Sequence, residues 1–492
     1  MNNIDPATQS NWEYLFSPDS VAIIGASNTP GTWGFNSMRG LLGNESRRIY
    51  PVNPNSPEVL GVKAYKSVLN ISDSLDLAVI VVAEKLVPGV LRDCVSKGVK
   101  AAVIISSGFG EMGEKGRKLE AELVKIANQG GIRFIGPNSM GHADVRTKLS
   151  TFGRVSKLPV GPVSVLSQSG SMCLSIVSNL ADSGISCSKY ISTGNEADLY
   201  MEDYLEYLAE DTDTRIIAAY IEGLRDGRRF LRLAKKITSR KPVVVLKAGG
   251  TKESARAVMS HTGALAGADA VYTAAFRQSG VIRVDDNNEL CDVVFALLNC
   301  PLPQNNRVGI LSIGGGPGAL TAEACEKEGL VVGKLAESTI RKLDDHLSSR
   351  WPRRNPVDMA GASAADLPVV MNLLSALIED QNIDIIFLHV PLIMPKNTLI
   401  RHMGFSPEKA EAYREKEEKK IKSMAEKAEK NGKVLVLIWQ MREMMNDPYI
   451  SSLLKKGKIL AQTNANYAAK IMRHLVWYRR YLDATTDKSS PL

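Results

Sequence analysis

The sequence predicts an α/β protein made of three consecutive doubly wound domains with parallel sheets. Three segments each place a β-branched apolar strand directly before a Gly/Ser turn and a helical stretch: VAIIGAS from Val21, VSVLSQSGS from Val163 and VGILSIGGGPGAL from Val308. The intervals between them, 163 − 21 = 142 and 308 − 163 = 145 residues, are the size of one doubly wound domain. The length of 492 residues also predicts about three domains.

Six further apolar runs predict buried strands. They are continuous rather than alternating, which is typical of parallel strands covered by helices on both faces. The runs are LDLAVIVVA (75–83), AAVIISSGF (101–109), RIIAAYIEG (215–223), KPVVVLKAG (241–249), DIIFLHVPL (384–392) and KVLVLIWQ (433–440).

Polar segments that contain Pro or Gly interrupt this pattern near 146–161 and 300–307. We therefore expect domains at residues 8–148, 155–302 and 305–482. The charge-dense stretch 407–430 predicts a helix with Ser406 as its N-cap and Pro407 at its first position. For this helix, a solvated surface position is favoured over a docking role.

The composition is that of a globular protein and narrows the function classes. Hydrophobic residues make up 44% and charged residues 23% of the chain, and no apolar run approaches the roughly 18 residues of a membrane span. The first residues show no secretion signal, so we expect a cytoplasmic protein. The net charge of +8 is spread along the chain, which argues against nucleic-acid binding. The six cysteines lack metal-ligand spacing and are expected to be reduced and mostly buried.

The turn after the first strand, Gly25 to Gly34, should open a helix whose N–H groups can bind a phosphate. A dinucleotide-binding fold would also require an acidic residue at the end of the second strand to bind the ribose. That strand instead ends in Asn53-Pro54. The missing acid argues against NAD and leaves another phosphate-bearing adenine ligand open.

The second domain contains two turns of small and polar residues, SQSGS (167–171) and STGNEAD (192–198). Two helix N-termini aimed at one point would create a strong site for phosphate or a phosphorylated side chain. Glu222 closes the strand IIAAYIEG, where its carboxylate could fix the tautomer of a histidine. A solvent-facing glutamate at a strand end is an equally open interpretation of this residue alone.

His261 differs from the other five histidines because a run of small residues, TGALAGADA, follows it. A neutral imidazole with a pKa near ~6.5 is nucleophilic, and Gly263 and Gly267 would let this segment approach a charged ligand. The combination suits a covalent carrier, although an ordinary loop histidine is also open from this stretch alone. The other histidines suggest core or surface packing: His142, His346, His389, His402 and His474.

An ordered series of motifs across residues 21–482 resembles the α chain of NDP-forming acyl-CoA synthetases, the ADP-forming acetate–CoA ligase relatives of succinyl-CoA synthetase. The motifs are VAIIGAS, YPVNP (50–54), ISSGF (105–109), GPNSMG (136–141), LSQSGS, STGNEAD, YIEG, KPVVVLKAG, SHTGALAG, GGGPG (314–318) and NPVDMAG (355–361). The resemblance implies a Rossmann-like CoA-binding domain, a flavodoxin-like domain with a phosphohistidine loop and a second flavodoxin-like domain.

The resemblance also implies roles for individual residues. His261 matches the histidine that is transiently phosphorylated, and Glu222 matches the glutamate that orients it. Ser169, Gly170 and Ser171 match the first phosphate-binding helix start, with Gly194 and Asn195 near the second. The residues expected to line the CoA site are Gly25, Ser27, Asn28, Asn53, Pro54, Ser107, Gly108 and Asn138.

At two places the sequence differs from the pattern of the family that it resembles. Asn55 and Ser56 stand where succinyl-CoA synthetases have lysines, so contacts to the CoA phosphates are expected to differ. The usual Asp in the helix after GGPG is replaced by Glu323.

The implied reaction interconverts acyl-CoA, phosphate and NDP with a carboxylic acid, CoA and NTP. There is no G-x-x-x-x-G-K-[ST] motif, so the resemblance implies a separate ATP-grasp β chain that binds Mg²⁺ and ADP or ATP, in an α₂β₂ assembly. The alternative is a CoA-binding regulatory or scaffold protein of the same fold that has lost catalysis. Intact His261 and Glu222 argue against it, and Asn53-Pro54 argues against an NAD-linked oxidoreductase.

Overall fold

The computed structural model describes residues 12–44, 46–153, 159–256, 269–359, 367–389, 394–439 and 447–486. Contacts divide the chain into two compact units, Met1–Cys291 and Asp292–Leu492. The division falls inside one helix, Asn287–Asn299, and not at the expected boundary near 300–307. His261 lies outside the described residues.

The first sheet of the first unit is fully parallel, with the strand order β2-β1-β5-β6-β7. Its strands are β1 (Ser20–Ile24), β2 (Arg48–Val52), β5 (Leu77–Ile80), β6 (Ala101–Ile104) and β7 (Arg133–Ile135), and a separate hairpin joins β3 (Glu58–Val59) to β4 (Val62–Lys63). The helices are α1 (Trp33–Leu41), α2 (Val87–Lys97) and α3 (Glu114–Gly130).

The second sheet has the order β14-β13-β12-β10-β11-β8-β9. Its strands are β8 (Gly141–Asp144), β9 (Leu149–Ser150), β10 (Val163–Ser167), β11 (Cys187–Ser192), β12 (Ile216–Ile221), β13 (Val243–Lys247) and β14 (Ile282–Val284). Its helices are α4 (Gly170–Asp182), α5 (Met201–Glu210), α6 (Gly227–Thr238), α7 (Asp269–Gln278) and α8 (Asn287–Asn299).

The antiparallel strands β8 and β9 correct the sequence analysis, which expected only parallel strands. Strand β8 pairs antiparallel with β11, with His142 opposite Ile191. The expected domain end at 148 therefore cuts between two strands that both belong to the second sheet. The short segment could not be detected from hydrophobicity, because its sequence, GHAD, has no apolar run although all four residues are buried.

The second unit contains one parallel sheet with the order β16-β15-β18-β19-β20, and β17 pairs with β15. Its strands are β15 (Arg307–Ser312), β16 (Val331–Val332), β17 (Val357–Asp358), β18 (Ile385–His389), β19 (Val434–Ile438) and β20 (Leu460–Gln462). Its helices are α9 (Gly315–Lys327), α10 (Glu337–Asp344), α11 (Leu367–Ile378), α12 (Lys396–Met403), α13 (Pro407–Lys430), α14 (Pro448–Lys456) and α15 (Ala465–Thr486).

The fold class predicted from the sequence is confirmed: the sheets are mostly parallel and doubly wound, and each predicted apolar run contains a strand. The first long parallel strand of each sheet (β1, β10 and β15) has a later parallel strand on either side: β2 and β5, β11 and β12, and β16 and β18. In such sheets, ligands bind outside the carboxyl ends of the strands where the connections diverge to opposite faces. This point lies between β1 and β5 in the first sheet and between β10 and β12 in the second.

A continuous hydrophobic core explains why the first two sheets form one compact unit. Buried residues from Trp12 and Val21 through Leu166 to Phe276 belong to one cluster. A second cluster covers the other face of the first sheet, and the second unit has its own core. All six cysteines are free and buried, as expected.

The charged helix α13 begins as predicted, since the Ser406 hydroxyl accepts a hydrogen bond from Lys409 N at 3.2 Å. It is not solvated all round, because a stripe that includes Ala410, Ile421 and Ala428 is buried in the core of the second unit. No helix of the described part of the chain is both long and apolar enough to cross a membrane.

Candidate functional site

The turn after β1 brings the chain close to the neighbouring strand and requires glycine. Gly25 has a φ of +96°, and its N–H donates to Val52 O at 3.0 Å. A Cβ atom there would lie only 2.1 Å from the carbonyl oxygen of Val81, so no larger residue fits. Helix α1 begins later, at Trp33, where the Thr32 hydroxyl accepts from Phe35 N at 3.3 Å.

Asn28 and Asn53 shape this turn with their side chains. Asn28 Oδ1 accepts from Leu60 N and its Nδ2 donates to Glu58 O, both at 2.9 Å, which ties the turn to the β3–β4 hairpin. Asn53 Nδ2 donates to Ala26 O at 2.9 Å. Ser27 caps Thr29 N locally at 3.0 Å. The two amide side chains therefore hold the backbone of this turn in place, and Pro54 is exposed beside them.

Ser107, Gly108 and Asn138 follow β6 and β7 at the same carboxyl edge, because all five strands are parallel. Ser107 is exposed, while Gly108 and Asn138 have positive φ angles of 105° and 56°. Asn138 N donates to Ser106 O at 2.9 Å, which joins the two loops. The structure thus places all the residues predicted to bind CoA along one edge of the first sheet.

The second sheet brings the predicted phosphate-binding residues to its own carboxyl edge. Ser169 is the N-cap of α4 and accepts from Met172 N at 3.4 Å, and the hydroxyls of Ser169 and Ser171 are 3.1 Å apart. Gly170 is required here, because a Cβ atom would lie 2.2 Å from the side chain of Met140. Two hydroxyls and the positive end of a 13-residue helix suit an anion.

The turn with Gly194 and Asn195 lies beside this helix start, since Thr193 N donates to Ser167 O at 2.8 Å. It is not itself a helix start, because α5 begins at Met201. Gly194 has a φ of +65° and packs against the loop before β8, where a Cβ atom would lie 2.4 Å from Pro137 O. As the sequence predicts, this turn precedes a helix, and its own contribution is to bring the backbone at 193–194 next to the Ser169 helix start.

Glu222 follows β12, directly beside the end of β10. Its side chain is buried, with the residue only 5% exposed. The carbonyl oxygen of the Gln168 side chain accepts from Glu222 N at 2.5 Å and from Gly223 N at 3.0 Å. Burial, followed by the charge of Glu222 and a hydrogen bond with it, raises the pKa of Tyr220 to about 12. Glu222 is thus a buried carboxylate beside the Ser169 helix start.

Lys247 is a site residue that the sequence analysis did not single out, although it ends the predicted strand KPVVVLKAG. Its ammonium donates to Glu222 O at 2.9 Å and lies 4.3 Å from the centre of the Tyr272 ring. Burial, and next the nearby charge of Arg283, lower the pKa of Lys247 to about 8. It therefore links the end of β13 to the residue that follows β12.

Glu196 is a second missed residue, and it is fully buried beside the site. Thr193 Oγ1 donates to Glu196 Oε1 at 2.8 Å. Burial raises the pKa of Glu196 to about 8, so this carboxyl group is protonated at neutral pH. The sequence shows that Glu196 is an acidic residue within STGNEAD, but it does not predict that Glu196 is buried.

We expect Glu196→Gln to stabilise the protein at high pH and to leave it nearly unchanged at pH 5. The folded protein binds a proton at Glu196 that the unfolded chain releases near its ordinary pKa of 4.5, so the free energy of unfolding falls as pH rises from about 4.5 to 8. Because one pKa unit corresponds to about 1.4 kcal/mol, a gain of at least that size is expected at pH 9. Denaturant unfolding at both pH values measures it, and an equal effect at pH 5 and pH 9 would contradict it.

Comparisons with known proteins match both sheets of the first unit. Residues 19–144 match the CoA binding domain family, and residues 160–297 match the succinyl-CoA ligase like flavodoxin domain. The chain is 45% identical over 376 residues to the α subunit of acetate–CoA ligase [ADP-forming] II of Pyrococcus furiosus, which covers 76% of this chain and 81% of that subunit. It is 44% identical to acetate–CoA ligase [ADP-forming] I of Archaeoglobus fulgidus, over 76% of this chain but only 54% of that protein.

A solved structure resembles the chain along almost its whole length. Acetyl-coenzyme A synthetase 1 of Candidatus Korarchaeum cryptofilum, solved with phosphate and ADP, superposes with a TM-score of 0.80 at 29% identity. The match covers 98% of this chain and 99% of that one. The similarity therefore includes the second unit as well as the first.

Proposed function

Because the chain belongs to the family of ADP-forming acetate–CoA ligases, which are acid–CoA ligases, we propose that it is the α subunit of an NDP-forming acyl-CoA synthetase. The reaction interconverts acyl-CoA, phosphate and ADP with a carboxylic acid, CoA and ATP. One observation carries this proposal: the Ser169 helix start and the buried carboxylate of Glu222 lie side by side at the divergence point of the second sheet.

The first step that we propose takes place at this helix start. Phosphate held by the N–H groups and hydroxyls of Ser169–Ser171 attacks the thioester carbonyl of acyl-CoA, and the thiolate of CoA leaves. The product is an acyl phosphate. Gly194 lets the neighbouring turn pack close to this helix start, because a side chain there would collide with Pro137 O.

In the second proposed step, a ring nitrogen of His261 attacks the phosphorus and the carboxylate leaves. The carboxylate of Glu222 favours the tautomer in which the attacking nitrogen carries the lone pair, and it offsets the positive charge that develops on the ring. The phosphoryl group then passes from His261 to ADP. Lys247 supports the arrangement by holding the backbone at Glu222 through its hydrogen bond to Glu222 O.

We place CoA along the carboxyl edge of the first sheet. Gly25 permits the tight turn at this edge, and Ser107 is exposed next to Gly108, so a pyrophosphate could approach the backbone there. Asn53 points back to Ala26, and β2 is followed by Asn53-Pro54 rather than by an acidic residue that would bind a ribose. These features support CoA over NAD.

The nucleotide step requires a partner that we propose to be a separate ATP-grasp β subunit with Mg²⁺ and ADP or ATP, in an α₂β₂ assembly. Relatives of similar length are named as α subunits, and the chain spans about half the length of its single-chain relatives. The alternative is a CoA-binding scaffold of the same fold without activity. The complete arrangement of Ser169, Ser171 and Glu222 supports the enzyme instead.

The isolated chain is expected to become labelled by radioactive phosphate in the presence of acyl-CoA, and not by γ-labelled ATP. Phosphoryl transfer from a triphosphate needs Mg²⁺ and a cationic cradle around its phosphates, which we assign to the partner. Acid-labile and base-stable label on the purified chain, measured with a panel of short acyl-CoA compounds, tests this division. Labelling from ATP alone would show that the chain binds the nucleotide itself.

A further inference from the structure

Asn195 is the centre of a hydrogen-bond network that links the edges of the first and second sheets. Its amide Nδ2 donates to Glu111 Oε2 at 2.6 Å and to Glu120 Oε2 at 2.9 Å. Its Oδ1 accepts from Asn138 Nδ2 at 3.2 Å. The residue is buried, with 7% exposure, although it lies in a turn.

The backbone of Asn195 is also engaged. Its N–H donates to Pro137 O at 2.9 Å, and its carbonyl oxygen accepts from Arg225 at 3.0 Å. A primary amide has two N–H donors, and both are directed at carboxylates. The residue therefore has no donor left for a phosphate, and the two carboxylates next to it would repel one. This geometry replaces the phosphate-binding role expected for Asn195 from the sequence.

The two carboxylates connect Asn195 to the loop that we assign to CoA. Glu111 Oε1 accepts from Gly108 N at 2.5 Å, and Glu120 Oε2 accepts from Gly110 N at 3.0 Å. Burial alone would raise the pKa of Glu111, but the bonds from Asn195 and from backbone N–H groups outweigh it, and its pKa lies below the ordinary range. Glu111 thus accepts these bonds as a carboxylate.

At its other end the network reaches the phosphate-binding helix start. Asn195 is adjacent to Gly194, and Thr193 N donates to Ser167 O just before Ser169. A displacement of the Gly108 loop must therefore move the turn beside the Ser169 helix start, or break bonds that are individually short and partly buried.

We propose that Asn195 is a positioning residue that couples the CoA site to the phosphate site through Glu111, Glu120 and the Gly108 loop. The inference rests on the proposed function, since it assumes that CoA and phosphate bind at the two edges. Thermodynamic linkage makes such a coupling reciprocal: phosphate changes the affinity for CoA by the same factor as CoA changes that for phosphate.

The test measures the dissociation constant of CoA by calorimetry for the full chain, with and without saturating inorganic phosphate. In the wild type the two constants should differ by at least about fivefold. In Asn195→Ala the ratio should fall to about one, while CoA still binds. The control variant Asn128→Ala, at an exposed asparagine of α3, should keep the wild-type ratio. A role of Asn195 in stability alone would lower the unfolding temperature without changing the ratio.

A polarity exchange provides the second measurement. Asn195→Asp places a third carboxylate against Glu111 and Glu120, so it should remove the coupling. The triple variant Asn195→Asp, Glu111→Gln, Glu120→Gln should restore at least part of the ratio. Glu111 uses separate oxygens for Gly108 N and Asn195, so the Glu111→Gln amide can donate to the new carboxylate and still accept from Gly108 N. Glu120 accepts both of its bonds with Oε2, so Glu120→Gln keeps one of them and removes the like charge.

The outcomes separate the two proposals. A wild-type chain that binds CoA, labels from acyl-CoA and shows a phosphate-independent CoA affinity overturns the coupling and leaves the proposed function standing. An unchanged ratio in Asn195→Ala also overturns it. A wild-type chain that neither binds CoA nor labels removes the proposed function, and the coupling with it.

Discussion

Replacing His261 by asparagine is expected to abolish labelling of the chain by phosphate from acyl-CoA, by on the order of 10³-fold or more. Asparagine is similar in polarity and size but has no nucleophilic ring nitrogen, so the acyl phosphate would have no acceptor on the protein. The acyl phosphate could still form at the Ser169 helix start. The expected result is therefore loss of protein-bound label with retention of CoA binding, measured on the same preparation by filter binding and calorimetry.

His402→Asn is the matched control, because His402 is an exposed histidine of the second unit, far from the proposed chemistry in sequence. It should label like the wild type. Label that persists in His261→Asn, with the same acid lability, would place the carrier on another residue. His142 and His389 are poor substitutes, because a ring nitrogen of each is bonded to a protein oxygen and His142 is fully buried.

The parallel strands of this fold were predictable because each is buried on both faces and reads as an uninterrupted apolar run. Strands β12 and β13 are examples: IIAAYI and VVVLK lie within the predicted runs and are almost entirely buried. The turns were also predictable, because the sequence has glycine at positions where a side chain would collide with a neighbour. A Cβ atom on Gly25 would meet Val81 O, and one on Gly170 would meet the Met140 side chain. Both the apolar runs and the turn glycines can be recognised from neighbouring residues in the sequence.

The connection between the first two domains was not predictable from local sequence. Strand β8 is buried through pairing with β11, and its four residues include a histidine and an aspartate. Asp144 is held there by an ion pair with the buried Lys189 at 3.2 Å, which is distant in sequence. Hydrophobic patterns cannot reveal burial that is compensated by a charge partner elsewhere.

The sequence predicted which residues lie near the candidate site better than it predicted what each side chain contacts. Motif resemblance placed Asn195 near the phosphate, and in the structure its turn lies beside the Ser169 helix start. The side chain, however, faces Glu111 and Glu120, which lie in a loop and a helix of the first domain. Only the tertiary fold decides which of two nearby polar groups an amide will face, so a spacing argument could not assign its role.

Glu222→Gln is expected to slow phosphorylation of His261 by on the order of 10²- to 10⁴-fold while CoA binding stays within about twofold. The substitution keeps the shape and the buried position but removes the negative charge that would offset the imidazolium during transfer. Glutamine would also present an N–H to the ring, which favours the wrong tautomer. Rapid-quench measurement of label on the chain, at saturating acyl-CoA and phosphate, gives the rate directly.

The control for Glu222→Gln is Glu202→Gln, because Glu202 is also fully buried in the same domain and burial raises its pKa. Neutralising it should leave the labelling rate within about threefold. Both variants replace a buried glutamate by glutamine, but at different places. Glu202 lies on α5 and accepts a hydrogen bond from Asp226 N at 3.1 Å, whereas Glu222 follows β12 beside Gln168. If both variants lose labelling equally, the loss reports a general response to a buried glutamine. If neither loses it, the charge of Glu222 has no part in the transfer.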